Sequence, residues 1–161
     1  AKTTGQNEFR AIYKFPYING AGMVNRMKLY QTLLTSVALP SGAILNQLDL
    51  LSQGSLSLIT VLGLGGMIPL YIVGHFTNKL VGIVYSNEQS DLVKFAYSDF
   101  WGTRKDVVIP TNELVPFSEN QPSITDALYL KVNQFSSKNT LKLCTRYGIV
   151  DVAGFNKIFV C

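Results

Sequence analysis

Between Lys28 and Lys79 the chain carries a single charged residue, Asp49. That interval divides into two uncharged runs, Leu29–Leu48 of 20 residues and Leu50–Asn78 of 29. A helix rises about 1.5 Å per residue, so roughly 20 residues cross the hydrocarbon core of a bilayer. Both runs reach that length, and Leu48-Asp49-Leu50-Leu51-Ser52-Gln53-Gly54 between them reads as a tight turn. The pattern predicts a two-helix transmembrane hairpin with spans at 29–48 and 54–78. The second run is rich in Leu, Ile, Val and Gly from Leu56 to Phe76. The first is interrupted by Gln31, Thr32, Thr35, Ser36, Asn46 and Gln47, so it is expected to insert together with the second. The competing reading places both helices in the core of a soluble protein, but 161 residues offer little other structure to bury them.

Outside the hairpin the apolar period changes to two. Phe9 to Phe15 alternates and stops at Pro16, which predicts a short strand joining a later sheet. Leu80 to Tyr85, Asp91 to Tyr97, Arg104 to Pro110, Leu128 to Gln134 and Thr140 to Tyr147 each read as strands. The segments between them, including Ser86-Asn87-Glu88-Gln89-Ser90 and Ser118 to Thr125, have turn compositions. An antiparallel meander is the economical arrangement, and Val152 to Val160 reads as a short closing helix. Asn19-Gly20-Ala21-Gly22 is expected to be a flexible joint before the first span. The fold class is therefore membrane α+β: an N-terminal segment at 1–27, the hairpin at 28–79 and a β-rich domain at 80–161.

Charge adds an orientation. Residues up to Lys28 include five basic side chains against Glu8, and those from Lys79 onward include nine basic against eight acidic. The span-flanking bases Arg26, Lys28 and Lys79 lie on one side of a hairpin, so the positive-inside rule places both ends in the cytoplasm-equivalent compartment. Arg26 and Lys28 are expected to snorkel toward headgroups. No basic cluster with interleaved aromatics suggests nucleic-acid binding. Cys144 and Cys161 lack CxxC spacing and a nearby histidine, and free thiols are the simplest reading. The chain begins with Ala1 and shows no signal sequence, consistent with a removed targeting segment or an internal start.

Candidate functional residues are mostly packing residues. Gly63, Gly66 and Gly74 fall near one face of the second span and would admit close approach of the first through Thr35, Ala38 and Gly42. Tyr13, Phe15, Phe100 and Trp101 are candidate anchors for a partner or for the membrane interface. For Phe100-Trp101-Gly102 the two readings are an aromatic turn capping the sheet or resting at the interface, and an exposed protein-docking anchor. His75, the only histidine, reads as an interfacial side chain rather than a proton relay. Catalytic and nucleotide-binding motifs are absent; Leu62-Gly63-Leu64-Gly65-Gly66 lies within an apolar run and lacks the lysine of a phosphate loop. Glu88, Asp91, Asp99 and Asp106 read as a solvated face, not a carboxylate pair. No catalytic, cofactor or metal site is expected. A channel of oligomerised hairpins would have Thr32, Ser36 and Asn46 as its polar candidates.

Four segments in order carry a family resemblance. They are Phe9-Arg10-Ala11-Ile12-Tyr13-Lys14-Phe15-Pro16; Lys28-Leu29-Tyr30-Gln31-Thr32; Val81-Gly82-Ile83-Val84-Tyr85 with Phe100-Trp101-Gly102-Thr103-Arg104-Lys105-Asp106; and Arg146-Tyr147-Gly148. From about Phe9 to Phe159 the chain resembles the transmembrane protein 186 family, whose wider group includes transmembrane proteins 70 and 223. The resemblance implies a mitochondrial inner-membrane protein, multi-pass, with both termini in the matrix and a presequence removed on import. It implies a non-enzymatic assembly factor for respiratory complex I, acting on the early membrane arm within the intermediate-assembly complex. The partners so implied are other assembly factors, hydrophobic membrane-arm subunits and the lipid bilayer. A subunit retained in the mature complex is the alternative.

Overall fold

The computed structural model describes residues 9–87, 89 and 91–160. Glu8, Glu88, Ser90 and Cys161, on which some charge, turn and thiol expectations fall, lie outside the described residues. The elements are β1 (Phe9–Lys14), α1 (Ile18–Gln47), α2 (Gln53–Thr77), β2 (Leu80–Asn87), β3 (Leu92–Ser98), β4 (Arg104–Pro110), β5 (Leu130–Val132), β6 (Leu141–Leu143) and α3 (Val152–Phe159), with three short 3-10 turns before β5. They form two compact units. One is built on the sheet, and the other comprises Gly20–Thr77 together with Phe100–Gly102.

In the sheet unit the strands run β4-β3-β2-β6-β5, with β1 also pairing β2. The expected meander holds for β2, β3 and β4, whose pairings are antiparallel. It fails beyond them. β5 and β6 form an antiparallel pair, and β6 lies parallel to β2 through Leu80 and Lys142, so the chain crosses over rather than continuing to the neighbouring edge. Each of these late strands is only three residues long, where the expected runs were seven and eight. Short strands carry too little alternation to report their partner.

The inward positions Ile12, Tyr13, Val81, Val84, Val93, Phe95, Ile109, Val132, Leu141 and Leu143 build the core, and α3 closes it with Phe155, Ile158 and Phe159. Phe159 stacks on Phe117 at 5.1 Å between ring centroids and meets Phe95 edge-on at 6.1 Å. Helix α3 starts at Asp151, whose carboxylate accepts from the Gly154 amide at 3.1 Å, an N-cap that satisfies an otherwise orphaned donor. Gly148 adopts φ +95° where the Lys14 amide bonds its carbonyl at 2.7 Å. A side chain there would be strained and pressed into the Lys14 backbone.

Tyr13, a candidate anchor for a partner or the membrane interface, is instead fully buried in the sheet core. Its hydroxyl donates to the Cys144 carbonyl at 2.8 Å. Burial is the main cause that pushes its ionisation well above the ordinary tyrosine range, helped by the Cys144 thiol.

The second unit is a helical hairpin. Helix α2 matches the expected second span and, among the described residues, is the one helix long and apolar enough to cross a membrane. Helix α1 is not, which corrects the expectation of two membrane-spanning runs. Asn25, Arg26, Lys28, Gln31, Thr32, Thr35 and Ser36 all fall within it. The expected joint at Asn19–Gly22 is also helical. Two glycines cost about 1 kcal/mol each in a helix. Buried Ala21 and Asn25 on the same face continue the packed side of α1 through this stretch, and packing outweighs the weak propensity.

Candidate functional site

The interior of the hairpin is polar. The buried residues of α1 are Ala21, Asn25, Lys28, Thr35 and Gly42. Asn25, Lys28, Thr35 and Gly42 lie against α2 or the 100–102 segment. Gly42 approaches Leu56, with 3.3 Å between its ideal Cβ position and Leu56 Cδ1. A Cβ on Gly63 would lie 2.9 Å from Thr35 Cγ2, and one on Gly66 would lie 3.3 Å from Gln31 Nε2. A Cβ on Gly74 would lie 2.6 Å from Lys28 Nζ. The three glycines of the second span therefore face α1 at closest approach, two of them through residues other than those expected. Ala38 is half-buried on α1. Small residues at such crossings let the backbones approach where no hydrophobic force drives helices together.

Between the glycines the helices exchange hydrogen bonds. Thr77 donates to the Asn25 side-chain oxygen at 3.0 Å, and the hydroxyls of Thr32 and Tyr71 meet at 2.9 Å. Gln31 reaches the Gly63 carbonyl at 3.4 Å. Of the polar side chains that a channel would need, Thr32 and Asn46 are half-buried, whereas Ser36 is exposed and bonds to its own helix. Ser36 donates to the Thr32 carbonyl at 2.7 Å, and Asn46 donates to the Leu51 carbonyl at 2.9 Å.

Lys28 is the centre of this arrangement. It is completely buried, which corrects the expectation that it snorkels toward headgroups. Its ammonium donates to the Phe100 carbonyl at 2.6 Å and lies 3.2 Å from the Phe100 ring centroid. The rings of Trp101 and Tyr71 stand 5.4 and 5.6 Å away. Phe100 packs edge-on against both neighbours. Three ring faces and a carbonyl replace the water a lysine loses on burial, and cation–π attraction is strongest where such a charge is desolvated. Gly102 completes the turn at φ +82°, where a Cβ would come 2.6 Å from the Gly22 carbonyl oxygen. Phe100 thus serves inside the helical unit, while Trp101 keeps an exposed surface and Phe15 is half-buried in the sheet unit beside Tyr17.

The outside of the hairpin is apolar. Tyr30, Leu33, Leu34, Val37 and Ile44 on α1 are exposed, as are Leu58, Val61, Leu62, Ile68 and Ile72 on α2. Tyr30 and Val61 each expose 67% of their surface. Water would penalise this arrangement of polar groups inside and large apolar groups outside, whereas hydrocarbon favours it.

In the sheet unit, Asp106 accepts from Arg104 at 3.0 Å and pairs with Lys94 at 3.2 Å. These exposed partners, Arg104 first, hold its carboxyl below the usual range. Among the described residues no three His, Cys, Asp or Glu side chains gather to hold a metal ion.

Sequence comparison places these features among known proteins. The chain is 35% identical over 157 residues to transmembrane protein 186 of Rattus norvegicus, covering 97% of this chain and 72% of the relative. Transmembrane protein 186 of Homo sapiens is 32% identical over 153 residues, covering 94% of this chain and 71% of the relative. The Drosophila melanogaster protein of that name is 33% identical over 144 residues, covering 89% and 71%. No family model matches the chain.

Proposed function

The chain belongs to the transmembrane protein 186 family, and on that premise we propose that it is a non-enzymatic assembly scaffold for respiratory complex I. Both hairpin helices would cross the mitochondrial inner membrane, with both termini in the matrix. The resemblance across the four sequence segments supports the choice of complex and compartment. One structural observation carries the scaffold reading: the hairpin buries Asn25, Lys28 and Thr35 and presents many large apolar side chains on its exterior. Helix α1, too polar to span alone, crosses because Lys28, Thr32 and Thr35 face α2 or the 100–102 turn rather than lipid. The exterior then serves as the surface on which hydrophobic membrane-arm subunits and fellow assembly factors dock. Arg26 and Lys79 flank the spans on the matrix side, in keeping with the positive-inside rule. Engagement of Thr32 by Tyr71 and of Asn46 by the Leu51 carbonyl favours this reading over a channel.

The scaffold predicts co-migration of the protein with membrane-arm intermediates on native gels, and loss of those intermediates on its depletion. Unchanged intermediates and unchanged membrane-arm subunits after depletion would refute it. Stoichiometric recovery with the finished complex would instead identify a retained subunit.

A further inference from the structure

Lysines converge on the sheet unit where the chain leaves α2. Lys131 on β5 stands directly opposite Lys142 on β6. Directly opposed residues on an antiparallel pair share a face, with Cβ atoms about 4.5–5.5 Å apart, and two like charges placed so are destabilising. Val132, Leu141 and Leu143, their neighbours along the strands, are buried in the core, so the two lysines project from the other face. The backbone of Lys79 joins them, its carbonyl accepting from the Lys142 amide at 3.0 Å. Burial and then the charges of Lys131 and Lys79 lower the Lys142 ionisation below the ordinary lysine range. The Lys142 ammonium also lies 5.1 Å from the centroid of the Tyr129 ring.

The place of Lys79 in the chain gives this cluster a partner. It follows the last residue of α2, Thr77, by two positions. Chain length alone holds its Cα within about 7 Å of that residue. A 25-residue helix is about 37 Å long, more than the roughly 30 Å of hydrocarbon, so its end emerges among headgroups. We propose that Lys79, Lys131 and Lys142 form a seat for the headgroup of an anionic phospholipid at the membrane face where α2 ends. The phosphate would lie between the opposed lysines and relieve their repulsion, and Tyr129 would supply an interfacial aromatic contact. Glu119 and Asp126 line a cleft that Lys131 also borders.

The inference rests on α2 lying in a bilayer, and the test separates the two claims. The full chain is floated with phosphatidylcholine vesicles, then examined by native mass spectrometry in neutral micelles containing phosphatidylglycerol or phosphatidylcholine of matched acyl chains. The wild type should retain phosphatidylglycerol preferentially. Each substitution, Lys131→Gln or Lys142→Gln, should lower that preference about fivefold. Both variants relieve a like-charge pair and should keep wild-type circular dichroism. Equal retention of the two lipids, or variants that retain phosphatidylglycerol like the wild type, would overturn the seat alone. Complete displacement of the lipid by inorganic phosphate would assign the site to free phosphate and overturn the lipid. Failure of the wild type to float would overturn the membrane placement, and the seat with it.

Discussion

Lys28→Glu is expected to unfold the helical hairpin, whereas Lys28→Met should leave it nearly as stable as the wild type. The wild-type ammonium has already lost its water, and what compensates it is specific to a cation: the Phe100 carbonyl at 2.6 Å and ring faces of negative potential. A glutamate in the same enclosure would set a carboxylate against that carbonyl and those faces, with its water removed. An uncompensated buried charge costs about 3–5 kcal/mol, a large fraction of the stability of an ordinary domain. Methionine removes the donor and leaves the Phe100 carbonyl unsatisfied, at about 1–3 kcal/mol. It also removes the desolvation penalty of the charge, and its flexible thioether packs well against aromatic rings. The two methionine effects oppose each other and the two glutamate effects add. Trp101, the chain's only tryptophan, stands beside Lys28, so its fluorescence in graded detergent–denaturant mixtures reports on this unit. A glutamate variant as stable as the wild type would remove the account of the cage.

The glycines offer a second large effect with a built-in control. Gly74→Val would put a Cβ 2.6 Å from Lys28 Nζ, 3.0 Å from Lys28 Cδ and 3.3 Å from Asn25 Oδ1. A free lysine tip would move aside, but this one is held by the Phe100 carbonyl, so the helices must separate or the lysine must leave its cage. Gly63→Val meets Thr35 Cγ2 at 2.9 Å, and a β-branched side chain has few other rotamers available in a helix. Overpacking of this kind costs about 1–3 kcal/mol at each site. Gly65 lies on the same helix with nothing within 4 Å of its Cβ position. Gly65→Val should therefore change the unfolding midpoint little in the same measurement. Equal midpoints for the three valine variants would show that the helices do not meet at the glycines.

Much of this organisation is legible in the chain, and the failures share a cause. The boundaries of α2 stand out because its apolar run is uninterrupted, and β2, β3 and β4 because seven or eight residues alternate against a single core. Helix α1 is obscured because its pattern is inverted. Ala21, Lys28, Thr35 and Gly42 recur every seven residues and are all buried, while the apolar residues between them face outward. Their small size makes Thr35 and Gly42 legible as a contact face, but nothing local marks Ala21 and Lys28 as part of the same seam, although the heptad spacing is present. The same inversion made Lys28 look like a residue at the membrane entrance. Its carbonyl partner, Phe100, is 72 residues away, and no local pattern connects them. Phe100-Trp101-Gly102 could be read as an aromatic turn, but its place within the helical unit follows only from long-range packing.

The proposed crossing of the membrane by α1 beside α2 has a direct test. It is the sidedness of three single-cysteine positions in sealed vesicles: Tyr17→Cys, Asp49→Cys and the native Cys144, each with the other cysteines replaced. Tyr17 precedes α1, Asp49 lies in the turn between the helices, and Cys144 follows β6. Labelling with an impermeant maleimide should place positions 17 and 144 on one side and position 49 on the other. Labelling of 17 and 49 from the same side would mean that α2 spans alone, and the paired hairpin would be contradicted.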